Sequence, residues 1–213
     1  IPEERKPFSK FYDKRKKEFL TQDLYDNSKN LRNVEKKVLD SENWFGCLYY
    51  EIIQEKKNGK QYYTLLGWDG IDEYSTQKII DVLHFTRNKI TFGHPIFIKE
   101  KNKDNRVLIE YDERTSVSLS YNKKEKKIIF NNLIPIKKEL EGLYEYYVPD
   151  GSNNSYNYKS GKWIFEKDID ARNDKNNNSR KKPKMGLLPS RWLNLHTLQI
   201  SLKLDVMRLE EVH

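Results

Sequence analysis

The stretch WFGCLYYEIIQEKKNGKQYYTLLGWDG (44–70) decides the fold of this chain. Two runs rich in aromatic and β-branched residues, 44–53 and 61–70, flank the dipeptide Asn58-Gly59. Such residues favour strands, and Asn-Gly suits a type I′ turn because both central positions need a positive φ. The stretch therefore predicts a β-hairpin, and Asp69-Gly70 predicts that a second turn begins where the hairpin ends.

Further strands are predicted downstream by the same signals. Residues 75–85 could form a short helix capped by Ser75 or Thr76, but a strand is favoured because strands follow on both sides. In 106–121, Val117, Leu119 and Tyr121 alternate with serines, which is typical of a strand with one solvated face. The remaining predicted strands cover 90–100 (followed by a polar turn over 101–105), 128–136 (stopped by Pro135), and a hairpin over 145–170 with turns at Asp150-Gly151 and Ser160-Gly161.

These segments predict an all-β fold. Seven to nine strands joined by loops of two to six residues indicate a mainly antiparallel meander. A meander of this size buries one face by folding into a twisted sandwich or an open barrel. At the N-terminus, Phe8, Phe11, Tyr12 and Phe19 have spacings that fit a short helix, and an extended arm fits equally well.

Charge is distributed unevenly along the chain, which suggests its domain organisation. The net charge is +8, yet residues 41–170 carry 20 Lys/Arg against 20 Asp/Glu, while 171–191 carry 7 against 1. The excess thus lies outside the predicted β body, so specific nucleic-acid recognition is not expected; attachment of 171–191 to an anionic surface is the alternative. The predicted parts are a charged N-terminal arm or helix (1–26), an antiparallel β domain (27–170), a basic disordered linker (171–191) and an amphipathic tail (192–213).

The tail and the termini leave alternatives open. Leu198, Ile200, Leu202, Leu204 and Val206 alternate with mostly polar residues, so the tail is either a late strand that docks on the sheet or a segment foreign to the fold. No apolar run approaches the roughly 18 residues that a membrane span needs. No signal-peptide pattern is present, but the chain begins with Ile1, so a removed signal and a truncation both remain possible.

As a set, several blocks resemble an uncharacterised family of secreted or envelope-associated proteins from Bacteroidetes, over about residues 27–173. The resemblance implies a precursor with a signal peptide and a periplasmic or secreted location. It implies no chemistry, because none of the shared motifs is a catalytic signature. The blocks are NWFGCLYYEII (43–53), YYTLLGWDG (62–70), KIIDVLHF (78–85), FGHPIF (92–97), RVLIEYDERTSVSLSY (106–121) and GKWIFEKDIDARN (161–173).

Cofactor and metal chemistry find little support in the sequence. The lone Cys47 cannot form an intrachain disulfide and is expected to be a buried thiol. There is no Gly-x-Ser-x-Gly elbow, no phosphate-binding glycine loop and no paired-histidine motif. The acidic run 168–174 offers hard oxygens but lacks the glycine and distal Glu of a calcium loop, so a polar loop is favoured. We therefore predict no cofactor and no metal.

Paired carboxylates are the best enzymatic option. Asp69, Glu110 and Asp112 lie near predicted strand ends beside Trp68 and Tyr111, the combination that a sugar-cleaving site would use. Such enzymes hold two carboxyl groups about 5 Å apart when retaining and roughly 6.5–9.5 Å apart when inverting. The structural interpretation, which is favoured, places Asp69 in the Asp-Gly turn and the other two carboxylates on a solvated face.

Exposed aromatic residues are the other functional clue. Tyrosines occur as adjacent pairs at 49–50, 62–63 and 146–147, and adjacent residues of a strand face opposite sides. Cross-strand packing, at about 0.2–1 kcal/mol per pair, would explain an exposed row; a binding face would also explain it. The preferred hypothesis is a non-enzymatic module that binds a protein partner or a glycan, and the alternative is a carboxylate-dependent polysaccharide hydrolase. The proposed binding residues are Trp68, Tyr62, Tyr50, Tyr111 and Tyr146.

Overall fold

The computed structural model describes residues 8–13, 18–57, 60–86 and 89–169. Within these ranges the chain forms thirteen strands, and its helical elements are 3₁₀ turns of three residues. The predicted all-β, mainly antiparallel fold is confirmed. The strands are β1 Phe8–Asp13, β2 Glu18–Asp23, β3 Leu48–Lys57, β4 Lys60–Gly70, β5 Ser75–Thr86, β6 Lys89–Phe92, β7 Phe97–Lys99, β8 Asn102–Asp104, β9 Val107–Asp112, β10 Leu119–Asn122, β11 Lys127–Pro135, β12 Tyr147–Lys159 and β13 Lys162–Ile169.

The hairpin predicted from 44–70 is confirmed. β3 and β4 pair antiparallel with Lys57 opposite Lys60, so Asn58 and Gly59, which lie outside the described residues, connect them directly. A register shift between Tyr49 and Glu51 marks a bulge in β3. The hairpin is the start of a five-stranded sheet.

This five-stranded sheet has the order β3-β4-β5-β6, with β9 paired to β5 as well. The ambiguous segment 75–85 is a strand, as favoured. One edge of β5 carries β4, and the other is shared: residues 83–86 pair with β6 and residues 75–80 pair with β9. The long central strand β5 therefore lies between the hairpin and β9 and brings both into one sheet, although they are distant in sequence.

The second sheet has six strands in the order β10-β11-β12-β13-β7-β8. Its hairpins β10–β11, β11–β12 and β12–β13 are sequential, but β13 pairs in parallel with β7, with Trp163 opposite Phe97. Sequential pairing therefore does not hold throughout. Residue periodicity shows which face a side chain occupies but not which strand lies beside it, so the crossover could not be predicted.

Three local predictions require correction. Residues 8–13 and 18–23 form the antiparallel pair β1–β2, so the extended alternative for the N-terminus is right and the helix is wrong. The expected polar turn over 101–105 contains β8. The expected turn at Asp150-Gly151 lies inside β12, where Gly151 has φ +88° beside a register shift; a glycine in this conformation forms a bulge without ending the strand.

The core lies on both faces of the five-stranded sheet. Leu65 and Ile79 point to one face, where segment 24–47 covers them with Leu24, Trp44 and other side chains. Leu66 and Ile80 point to the other face and pack against the six-stranded sheet. A sheet covered on both faces explains why β4 and β5 read as continuous apolar runs. The architecture is thus a sandwich with an additional irregular layer, and that layer includes Leu24, which precedes the domain boundary expected at residue 27.

A buried charge pair fastens the irregular layer to the sheet. Arg106 Nε lies 3.2 Å from Asp81 Oδ2, and both side chains are fully buried. Tyr49 donates its hydroxyl to the same carboxylate oxygen at 3.0 Å, while Arg106 also donates to the carbonyls of Val34 and Lys37. The pair therefore links two strands of the sheet to the segment that covers them.

Cys47 is buried and free, as predicted, and desolvation raises the pKa of its thiol well above the ordinary value. In the described part of the chain, no helix is both long and apolar enough to traverse a lipid bilayer.

Candidate functional site

Three of the five predicted binding aromatics converge at one end of the five-stranded sheet. Trp68 lies opposite Leu48 on β3 and opposite Lys78 on β5. Tyr111 on β9 pairs with Thr76, two residues before Lys78 on β5. Tyr50 joins this side, since the Lys78 ammonium lies 5.3 Å from its ring centroid. We call Leu48, Tyr50, Trp68 and Lys78 the aromatic face. Tyr111 is buried, so the prediction that it is a binding residue is wrong, and it supports Trp68 from within the fold.

The indole of Trp68 is fixed at both ends. It hydrogen-bonds through its N–H to the hydroxyl of Tyr111, which also bonds Thr76. Its six-membered ring lies over Gly70, where an added Cβ would come within 3.3 Å of the indole. Burial raises the pKa of Tyr111, and the two hydrogen bonds partly oppose that rise. Trp68 is half-buried, so the face contains a rigid and accessible aromatic surface.

Several large apolar side chains at this end of the sheet remain in contact with water. Tyr50 is 47% exposed and Leu48 is 39% exposed. In the turn between β4 and β5, Ile71 and Tyr74 are 41% and 71% exposed. Tyr50 is nevertheless held in place, because its hydroxyl donates to the carbonyl of Leu119 at 3.0 Å. As predicted for an adjacent pair in a strand, Tyr49 is buried in the core and Tyr50 is exposed to solvent.

The other two predicted aromatics lie elsewhere. Tyr62 is at the far end of β4, stacked on His94 at a centroid distance of 4.5 Å. Tyr146 belongs to the 3₁₀ turn Tyr144–Tyr146, and its carbonyl accepts a bond from the amide of Ile136. Both are half-buried, as are Tyr63 and Tyr147, so these pairs do not divide into one buried and one exposed member.

Asp112 has a structural role in the turn after β9. Its carboxylate accepts two bonds from the Arg114 guanidinium, at 2.9 and 2.6 Å, and one from the Arg114 amide. These bonds hold the pKa of Asp112 below its usual value. The side chain is buried, so the expectation that Asp112 lies on a solvated face is wrong.

Asp69 and Glu110 occupy one row on the same face of the sheet, with Gln77 between them. Asp69 is opposite Gln77, and Gln77 is opposite Glu110. Because two strand spacings separate them, their backbones lie about 10 Å apart. The Gln77 amide donates to Asp69 at 3.0 Å. The structure therefore aligns these two predicted carboxylates while directing Asp112 to a different role.

Both carboxyl groups in this row hold a proton more strongly than an ordinary carboxyl. Burial, reinforced by the nearby carboxylate of Asp26, raises the pKa of Asp69 to about 6, although the Gln77 bond opposes the rise. Burial also raises the pKa of Glu110, and the charges of Glu145 and Asp72 act in the same direction.

A groove of about 830 Å³ runs beside β9, and sequence reasoning missed it. We call it the β9 groove. Residues 107–110 line it on one side, and asparagines of β11 and β12 line it on the other. The asparagines bond one another across the strands: Asn154 donates to Asn132 at 2.9 Å, and Asn131 donates to Asn153 at 3.2 Å. The repeated Asn-Asn dipeptides were the available signal, but without the register they could not be assigned to one site.

Comparisons with known proteins add no assignment. A scan against protein-family models, a search of curated proteins and a search of solved structures each found no match to this chain. Among the residues that the structure describes, no cluster of three or more His, Cys, Asp or Glu side chains could hold a metal ion.

Proposed function

We propose that this protein is a non-enzymatic β module, secreted or in the cell envelope, that binds a protein partner through the aromatic face. One observation carries the proposal: exposed Leu48 and Tyr50 lie beside an indole whose orientation is already fixed. Contiguous exposed apolar side chains are typical of interaction sites. Fixed aromatic side chains lose little entropy on binding, so they are common at the centre of interfaces.

Several features favour a protein over a glycan as the occupant of this face. Leu48 adds branched aliphatic surface to the face, and Ile71 adds more in the turn that follows β4; such surface complements apolar side chains of a partner. The Lys78 ammonium over the Tyr50 ring provides a cation within an apolar surround.

Photo-crosslinking tests this proposal. A photoreactive amino acid replaces Tyr50 in one variant and Ile136, which is 49% exposed on a different part of the surface, in the matched control. In cells that make the protein, we expect a discrete protein adduct from position 50 that is lost when Leu48→Ser is added. Equal adducts from both positions, or none from position 50, would contradict the proposal. Binding to a glycan panel that disappears in Trp68→Ala would reassign the face to carbohydrate.

A carboxylate-dependent polysaccharide hydrolase is the second candidate function. The raised pKa values of Asp69 and Glu110, two carboxyl groups in one row, favour it. The test is the release of reducing ends from a polysaccharide panel. Release that falls at least about 100-fold in Glu110→Gln would establish this activity, and no release by the wild-type protein would remove it.

A further inference from the structure

β9 uses only one of its two edges for pairing within the described part of the chain. Its residues 107–112 pair with β5. Consecutive side chains of a strand point to opposite faces, yet the four consecutive residues 107–110 all line the β9 groove. The backbone edge over 107–110 therefore borders the groove, while the 3₁₀ turn Tyr144–Tyr146 packs beside β9 near Glu110. An unpaired edge presents N–H and C=O groups that can accept another strand.

The groove has a different chemical character on each side of β9. On the side of Leu108 and Glu110, it is lined by the polar side chains of Gln77 and Glu35. On the side of Val107 and Ile109, it is lined by apolar and aromatic residues of the second sheet, namely Phe130, Leu133, Tyr156 and Phe165. A strand laid along β9 would direct alternate side chains into these two environments.

The polar side attracts a cation. Three basic residues line the groove. Lys36 lies 2.5 Å from Asp104 and Arg106 is bound to Asp81, while Lys99 belongs to the other side, where its ammonium lies 4.8 Å from the centroid of the Phe165 ring. Among the ion pairs of the described residues, Glu35 and Glu110 have none. Lysine or arginine side chains of an incoming strand would therefore meet two acidic groups that have no basic partner there.

We propose that the β9 groove binds an extended peptide segment of a partner protein, which adds to β9 as a further strand. Its basic side chains face Glu35 and Glu110, and its alternate apolar or aromatic side chains enter the pocket beside Tyr156. Backbone hydrogen bonds to β9 supply affinity, and the two sides of the groove select the alternating sequence. This surface is separate from the aromatic face, so neither proposal depends on the other.

The test uses the full 213-residue chain and a fluorescent seven-residue peptide in which Lys alternates with Leu or Phe. We expect saturable binding by fluorescence anisotropy. One control peptide has the same composition with the lysines grouped together. A second control carries N-methyl groups on alternate amides, which removes strand hydrogen bonds and keeps the side chains. Each control should bind at least about tenfold more weakly.

Protein variants locate the peptide. Glu110→Gln and Glu35→Gln should each weaken binding several-fold, while Glu141→Gln, an exposed glutamate that does not line the groove, should leave it unchanged. Absence of saturable binding overturns the proposal. Equal binding of the N-methylated peptide, or equal weakening by all three variants, also overturns it, because the attraction would then be a nonspecific charge effect.

Discussion

The aromatic face and the β9 groove are built on the same five-stranded sheet but offer different kinds of surface. The aromatic face presents side chains, with a fixed indole among exposed apolar residues. The groove presents a backbone edge between a polar and an apolar wall. The polar wall is held by the buried Asp81–Arg106 pair, whereas the aromatic face is held by single hydrogen bonds near the surface. The support of the groove should therefore be coupled to global stability far more strongly than the support of the face.

The largest expected effect comes from breaking the buried pair. Arg106→Met leaves the Asp81 carboxylate buried without its cation and removes the bonds to Val34 and Lys37. We expect the free energy of unfolding to fall by about 3–5 kcal/mol, the usual cost of removing one partner of a buried ion pair. Urea denaturation followed by tryptophan fluorescence measures it.

Lys159→Met is the matched control, because its side chain is 61% exposed and it pairs at 3.1 Å with Glu166, which is itself 33% exposed. We expect a loss of at most about 1 kcal/mol there. Similar losses in the two variants would contradict the claim that the buried pair is strongly coupled to global stability.

A smaller effect is expected at the aromatic face. Trp68→Phe and Tyr111→Phe each remove one partner of the indole–hydroxyl bond. In a double-mutant cycle measured by urea denaturation, the coupling energy should be about 1 kcal/mol, as for a partly buried neutral hydrogen bond. A coupling energy near zero would show that the indole is not fixed by Tyr111.

The smallest expected effect is a pH dependence from Asp69. Its folded pKa is raised from 3.8 to about 6, so folding favours the protonated form and stability falls as the pH rises through that window. Asp69→Asn should remove this decline in urea denaturations at constant ionic strength. Asp150 provides a control of opposite sign. Hydrogen bonds from Ser152 and Asn132 lower its folded pKa, so its contribution to the stability of the wild-type protein is lost as the pH falls, and Asp150→Asn should remove that loss. If Asp69→Asn shows the same decline of stability with pH as the wild-type protein, the decline belongs to another group.

Local chemistry made the hairpins predictable. Asn58-Gly59 and the flanking aromatic residues specify β3 and β4, and the alternation of Val117, Leu119 and Tyr121 with exposed serines matches the structure. Each of these signals lies within a few residues of the feature it predicts. The N-terminal segment was ambiguous for the same reason, since spacings of three, one and seven among its aromatics are compatible with both a helix and a strand.

Long-range pairing was not predictable. β9 pairs with β5, and β13 pairs with β7. Which strands become neighbours depends on how whole strands dock, and the alternation of apolar and polar residues within one strand does not specify its neighbour. The same limit applies to the candidate site. Trp68 and Tyr111 were selected from sequence, but their mutual hydrogen bond depends on the register of three strands. Asp112 was misjudged although Arg114 stood two residues away, because a buried strand end cannot be distinguished from a solvated one by spacing.

The most direct test of the two-surface account is amide hydrogen exchange on the full chain, resolved to β5 and β9, without and with the alternating peptide. In the free protein, β5 should exchange slowly because strands cover both of its edges. The groove-facing amides of β9 should exchange quickly and become protected when the peptide binds. If the β9 amides of the free protein are already as protected as those of β5, the edge is covered and the account is contradicted.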